Sequence, residues 1–414
     1  MVKKPERKLL VGLDIGTTKV VVLIGEITED GQVELVGVGT HPARGLKRGV
    51  VVNIEATVQS IQRAVEEAEL MAGCTIGAAH TGIAGAHIRS LNSHGIVAIR
   101  NQEVVQSDID RVIDAARAVA IPADQKILHI LPQEFVVDSQ EGIKEPVGMS
   151  GVRLEAKVHI VTGAVSAAQN IVKCIQRCGL QVADIILEQL ASSHAVLTDD
   201  EKELGVCMVD IGGGTTDIAI FINGSIRHTA VIPIAGDQVT NDVAVALRTP
   251  TQHAENLKMR HGCAISRWMD RKEMIAVPGA AQHSVKEVSK QALAEVIEAR
   301  YEELFTLVAA EVRRSGLEDL IAAGYVLTGG ASKVQGGLEL AELIFQAPVR
   351  LGCPQNNIMG MTEVVANPIY ATAMGLLISA HQQGAEYEGL RGDGSRDGSD
   401  GLWDKMKGWF KNNF

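Results

Sequence analysis

Aromatic side chains are scarce: 414 residues hold three Trp, four Tyr and six Phe. Apolar residues still make up 46% of the chain, so its core is expected to be aliphatic. Positive charge is also in deficit, with a formal net charge of −11. That excludes a general nucleic-acid binder, because no domain-wide basic field exists to displace counterions. No run approaches the ~18 to 20 apolar residues of a membrane span. The apolar run after the charged start, Leu9 to Leu13, ends at Asp14 and is too short for a signal peptide, so a cytoplasmic chain is expected. Cys74, Cys174, Cys178, Cys207, Cys263 and Cys353 form no disulfide framework or paired CxxC motif. Cys174 and Cys178 lie one helical turn apart, but no histidine or second cysteine pair has matching spacing. They read as reduced, buried or half-buried thiols.

The length suggests two to three domains, and 42 Gly with 21% charged residues fit a soluble α/β protein. The chain contains a near-repeat. Residues 9–25 read LLVGLDIGTTKVVVLIG and residues 205–224 read GVCMVDIGGGTTDIAIFING. Each is an apolar β run, then Asp-Ile-Gly, a Gly/Thr turn and a second β run, which is a hairpin. Two such hairpins half a chain apart imply two related lobes with a cleft between them.

Around the first hairpin, a strand is expected over Val33–Thr40 and a helix capped by Asn53 through Leu70. A different texture begins near Ala84. Strand-like runs at Ile96–Ile99 and Phe135–Val137 flank a helix expected over Ser107–Ala120, with Ser107 as its cap. The second lobe starts near Gly205. Between Ala244 and Gln282 the pattern is polar and irregular. Helices are expected from Ser284 to about Arg314 and over Asn367–Ala380. Six glycines and interspersed charges over 384–401 read as a flexible linker, with a reach of ~23 Å.

Both hairpin turns have the parts of a phosphate loop. Gly16 lets backbone approach an anion, and Thr17 and Thr18 supply N–H and hydroxyl donors. Asp14 can hold Mg²⁺ through its waters. Lys19 can reach a phosphate or pair with a local carboxylate. In the second turn Gly212, Gly213 and Gly214 precede Thr215 and Thr216; three glycines make sense where amides wrap an anion. Asp210 is the counterpart of Asp14 and would orient the metal's water shell, and Asp217 is read as a structural turn carboxylate. A third turn, Gly329, Gly330, Ala331 and Ser332 after Thr328, suits a flat base or ribose lying against backbone.

Three such turns resemble the actin, DnaK-type chaperone and sugar-kinase superfamily. That resemblance implies a two-lobed α/β fold, actin-like (ribonuclease-H-like), with ATP and Mg²⁺ in the interlobe cleft. It also implies two connecting helices, here from Leu187 and from Asn367. Glu188 matches a superfamily Glu that positions the attacking water, though Gln189 replaces the usual Pro; a helix-cap carboxylate is the other reading. The start VGLDIGTTKV, the runs VDIGGGTTDIAIF and LTGGASKVQG, the inserted subdomain and the terminus together resemble the FtsA family of actin-like bacterial cell-division proteins, over essentially the whole chain. On that basis 1–83 and 160–203 form the first lobe, interrupted by an inserted α+β subdomain at 84–159. Residues 204–242 and 313–383 form the second lobe, with 243–312 as its outer part.

The resemblance implies a non-catalytic, ATP-binding protein, a slow ATPase at most. The same resemblance implies that it would tether FtsZ filaments to the inner face of the cytoplasmic membrane at the division septum, polymerise with itself and recruit later division proteins. The C-terminal peptide of FtsZ would dock on 243–312, where Arg300 is the candidate for gripping a carboxylate; an exposed helical Arg paired with a nearby Glu is the alternative. A pilus-type scaffold, a chaperone or a small-molecule kinase of the same fold are the competing functions.

Four of the scarce rings lie in the last twelve residues. On a helix, Leu402, Trp403, Met406, Trp409, Phe410 and Phe414 fall within an arc of ~140°. Lys405, Lys407 and Lys411 lie at its edges and opposite face. This amphipathic pattern suits an anionic bilayer surface, with docking on a protein as the alternative. One such tail would bind marginally, and a polymer would gain avidity.

Overall fold

The computed structural model describes residues 8–279, 285–355 and 358–392. Linker residues 393–401 and the amphipathic segment 402–414 lie outside them. Among the described residues, no helix is long and apolar enough to cross a membrane.

The near-repeat folds as two sheets of the same plan. In the first lobe, Leu9–Ile15, Lys19–Ile27 and Val33–Pro42 form an antiparallel meander. Ala78–Ile83 adds parallel to Leu9–Ile15, and Gln181–Leu187 adds parallel beyond it. In the second lobe, Val206–Ile211, Thr216–Ile222 and Ser225–Ile232 form the meander. Tyr325–Thr328 and Val349–Leu351 extend it in parallel. Both strands of each hairpin read as continuous apolar runs because both faces of each sheet are covered. One further strand, Ile358–Gly360, returns to the free edge of the first-lobe sheet beside Val33–Pro42.

The helix Ile54–Ala72 starts where the sequence places it, with the Asn53 side chain accepting from Ala56 N–H at 3.1 Å. Two helices join the lobes, Glu188–Val196 and Ala371–Gly392. They touch at Ala191 and Gly375, where a Cβ on residue 375 would stand 1.7 Å from the Ala191 carbonyl oxygen. Only glycine permits that approach.

The inserted unit is a four-stranded antiparallel sheet of Arg89–Ala98, Arg153–Ala164, Gln125–Val137 and Gln140–Ile143, in that order, with the helix Gln106–Arg117 on it. It docks on the edge strand of the second lobe. Ser90 Oγ donates to Thr229 O at 2.9 Å, and Gln133 Nε2 donates to Ile226 O at 2.9 Å. His159 bridges Asn92 Oδ1 (2.7 Å) and Thr229 Oγ1 (2.9 Å). It also reaches the first lobe, where Leu187 N–H donates to His129 Nε2 at 2.9 Å.

Several expectations need correction. Ser107 does not cap its helix, which begins at Gln106; the buried Asp108 carboxylate accepts from Val105 N–H instead. Arg153–Ala164 runs unbroken through the expected boundary at 159/160. The stretch read as irregular contains the end of helix Gly236–Leu247, the helix Thr251–His261 and the strand Met274–Pro278. The long helix begins at Lys290, not Ser284, because Val285–Ser289 pairs with Met274–Pro278. Ser289 then caps it, accepting from Ala292 N–H. The last helix continues through Gly392, into the stretch read as linker.

Candidate functional site

Each hairpin closes with a two-residue tip. Gly16 N–H donates to Lys19 O at 3.0 Å around Thr17-Thr18, and Gly212 N–H donates to Thr215 O at 3.0 Å around Gly213-Gly214. The tips face each other across the cleft. A Cβ on Gly213 would meet Thr18 Oγ1 at 1.8 Å, and one on Gly214 would meet Thr17 Oγ1 at 2.5 Å. The glycines of the second loop therefore make room for the threonines of the first. Sequence alone suggested only room for an anion.

Behind the tips lies a cavity of about 340 Å³. Asp14, Gly16, Thr17, Thr18, Lys19, Glu188, Asp210, Gly212, Gly213, Gly214, Thr215, Asp217, Gly329, Gly330 and Ala331 all line it. Thr216 and Ser332 do not. Both are buried with their hydroxyls spent on backbone, Thr216 on Ile234 O at 2.7 Å and Ser332 on Gly329 O at 2.7 Å.

Six carboxyl groups line it, and burial raises the pKa of five of them: Asp14, Glu188, Asp210, Asp217 and Asp237. Asp210 is pushed up to about 6, and Asp217 to about 7 with the charge of Asp210 adding to burial. Glu188 is pushed well above its ordinary value by burial and by Asp14, Asp217 and Asp210. Asp14 is raised by burial, against the pull of Lys19. Lys19 Nζ sits 3.8 Å from Asp14 Oδ2 and donates to Ile369 O. Asp217 serves its turn, accepting from Thr215 Oγ1 at 2.9 Å, and also lines the cavity with Oδ1 unpartnered.

Sequence reasoning missed several residues. Ser192 donates to Asp210 Oδ2 at 2.6 Å and lies 3.0 Å from Thr372 Oγ1. The two connecting helices thus fix a second-lobe carboxylate. Glu255 and Lys258 line the cavity from the helix Thr251–His261, and Lys258 Nζ donates to Gly236 O and Thr240 Oγ1. The Tyr301 hydroxyl holds the third turn by donating to Ala331 O at 2.7 Å. The Glu-x-x-Lys spacing was a usable signal, since residues three apart share a helix face.

Arg300 lies apart from the cavity. It borders a shallow groove of about 520 Å³ between the helices Gly236–Leu247 and Lys290–Ser315. Burial pushes the Cys174 and Cys178 thiols up to about 11, and no cluster of three or more metal-ligating side chains occurs among the described residues.

A family model described as "SHS2 domain inserted in FTSA" matches residues 85–162, and one described as "Cell division protein FtsA" matches 207–375. The chain is similar to the cell division protein FtsA of Pseudomonas aeruginosa, 64% identical over 411 residues and 98% of both chains. Among solved structures it resembles the PilM-PilN type IV pilus biogenesis complex, with TM-score 0.65, 16% identity, and coverage of 90% of this chain and 98% of that one. It also resembles MreB5 of Spiroplasma citri bound to AMPPNP, with TM-score 0.57, 15% identity, and coverage of 93% and 99%. Those two likenesses show the fold, which is actin-like. The curated relative covers nearly the whole chain, and on that ground this protein belongs to the FtsA family of actin-like cell division proteins.

Proposed function

We propose that the cleft binds ATP with Mg²⁺, and that the protein tethers FtsZ filaments to the inner face of the cytoplasmic membrane. The observation that carries the nucleotide part is the cavity lined by two facing Gly/Thr loops, a third Gly turn and convergent carboxylates. The donor set is oxygen-rich, which suits a hard divalent cation. The unpartnered Asp217 Oδ1 and the raised carboxyls fit a site that gains from positive charge. Asp14 and Asp210 would hold the cation through its waters, and the cation would neutralise phosphate charge. Amides at Thr17, Thr18, Gly213 and Gly214 would face the phosphates, and the Gly329-Gly330 turn would carry the base. Glu255 and Lys258 suit ribose hydroxyls. Glu188 lines the same cavity and would position the attacking water, with slow hydrolysis at most.

Asp210→Asn is expected to weaken binding of a fluorescent ATP analogue with Mg²⁺ at least tenfold, about 1.4 kcal/mol. Equal affinity in titrations of the two proteins would refute the site. Rapid phosphate release dependent on a small-molecule acceptor would favour the kinase reading instead.

The remaining parts rest on family membership and on the sequence. The segment 402–414 would lie on the membrane, the chain would polymerise with itself, and later division proteins would be recruited. The FtsZ C-terminal peptide would enter the Arg300 groove. Deleting 402–414 is expected to abolish co-sedimentation with anionic vesicles; pelleting equal to the full chain would show that the tail is not the anchor.

A further inference from the structure

Arg300 is already occupied by carboxylates of its own chain. Its Nε donates to Asp242 Oδ2 at 2.5 Å and its Nη2 to Asp242 Oδ1 at 3.0 Å, two parallel bonds. Its Nη1 donates to Glu303. A guanidinium presents five N–H donors in a planar fork, and one edge of the fork accepts one carboxylate bidentately. Asp242 fills the edge formed by Nε and Nη2. Glu303 takes a donor from the other edge.

Two acidic groups around one guanidinium leave local charge that repels a third. Apart from Asn241, the rest of the groove is apolar, with Val245 exposed beside Ala246, Val296 and Ala299. It can therefore seat apolar side chains, yet its single cation is not free. Asp242 stands on Gly236–Leu247 and Arg300 on Lys290–Ser315, so the pair also ties the two walls of the groove together.

Resting on the reading of this groove as a peptide site, we propose that Asp242 is an internal stand-in for a carboxylate of the docking peptide. Binding is then an exchange on Arg300: the Asp242 carboxylate leaves the fork as an acidic side chain or chain terminus of the peptide enters it. The intramolecular pair holds affinity down and selects for acidic peptides, because a neutral side chain cannot replace the lost bonds. Both Asp242 and Arg300 side chains are about one-quarter exposed, so the exchange takes place at a surface that water and peptide reach.

The test titrates labelled FtsZ C-terminal peptide into the full chain by fluorescence anisotropy at low salt. Asp242→Asn is expected to bind about tenfold tighter, and Glu303→Gln about twofold to threefold tighter. In an Arg300→Gln background Asp242→Asn should give no gain. A peptide with its acidic residues amidated should also show none. If Arg300→Gln binds as tightly as wild type, the peptide does not use this groove and the underlying reading fails. If Arg300→Gln weakens binding while Asp242→Asn does not tighten it, the groove stands and the exchange is overturned. Should Asp242→Asn melt well below wild type, Glu303→Gln, which keeps the interhelical pair, decides by the same direction of change.

Discussion

Gly375→Ala is expected to destabilise the chain by about 3 kcal/mol or more, although alanine is the better helix former by about 1 kcal/mol. The added methyl would stand 1.7 Å from the Ala191 carbonyl oxygen and 2.2 Å from its carbon. Both are backbone atoms inside a helix, so no side chain can rotate out of the way. The helices must part, and they are the two that join the lobes. The damage should reach the cleft. Ser192 lies one residue beyond Ala191, Thr372 lies one turn before Gly375, and the Ser192 hydroxyl holds Asp210. Urea unfolding should therefore show the lost stability, and Mg²⁺-dependent nucleotide affinity should fall although residue 375 does not line the cavity. Wild-type values of both would mean that this crossing does not set the geometry between the lobes.

How much of this was legible in the sequence depended on how each element is buried. The two hairpins were visible because both faces of their strands are covered, so apolar runs and Gly/Thr turns stand out without any alignment. Asn53 was visible because a capping side chain works locally. The helix Thr251–His261 was not, since Ala254 and Leu257 are its only buried residues and it carries no apolar stripe. Glu255 and Lys258 went unseen with it. The extension of the last helix into a Gly-containing stretch was hidden by composition, which weighs glycine as a breaker. The scarcity of rings also took on a pattern that composition cannot give. Tyr301, Phe305, Tyr325 and Phe345 gather in the second-lobe core, where Tyr325 and Phe345 stack at 4.2 Å. Tyr301 reaches from that core to the third turn of the cleft, so one of the few body aromatics positions the candidate site.

The facing glycines and threonines show why a motif read in one strand of sequence understates its purpose. Gly213 and Gly214 have local neighbours that say nothing about Thr17 and Thr18, almost two hundred residues away. Only the opposed lobes make those four residues one contact. The same holds for Asp210, whose orientation is set by hydroxyls from Ser192 and Thr372 on two different helices.

Acid is expected to loosen the chain through two buried histidines at seams between its parts. His159 joins the inserted subdomain to the second lobe, and burial with the nearby His228 holds its pKa down to about 4. His194 joins the two connecting helices through Ser379, and burial with Lys202 and His129 also brings it to about 4. The ordinary value is 6.5. Between pH 6.5 and 4 the unfolded chain binds a proton at each of these positions and the folded chain does not. Each histidine thus contributes stability that is fully present above pH 6.5 and lost as pH falls toward 4, roughly 3 kcal/mol apiece. The cleft carboxyls act with the opposite sign. Asp210 and Asp217, raised to about 6 and 7, favour the folded state increasingly as pH falls through those values. The two effects offset each other in the wild-type curve, so the readout is the difference between variants. The stability advantage of wild type over His159→Gln should shrink by roughly 3 kcal/mol from pH 7.5 to 4, and His194→Gln should behave alike. Urea titrations at four or five pH values suffice. Differences that stay constant with pH in both variants would show that these rings titrate in the folded chain as they do in water, and that neither seam is held by a neutral imidazole.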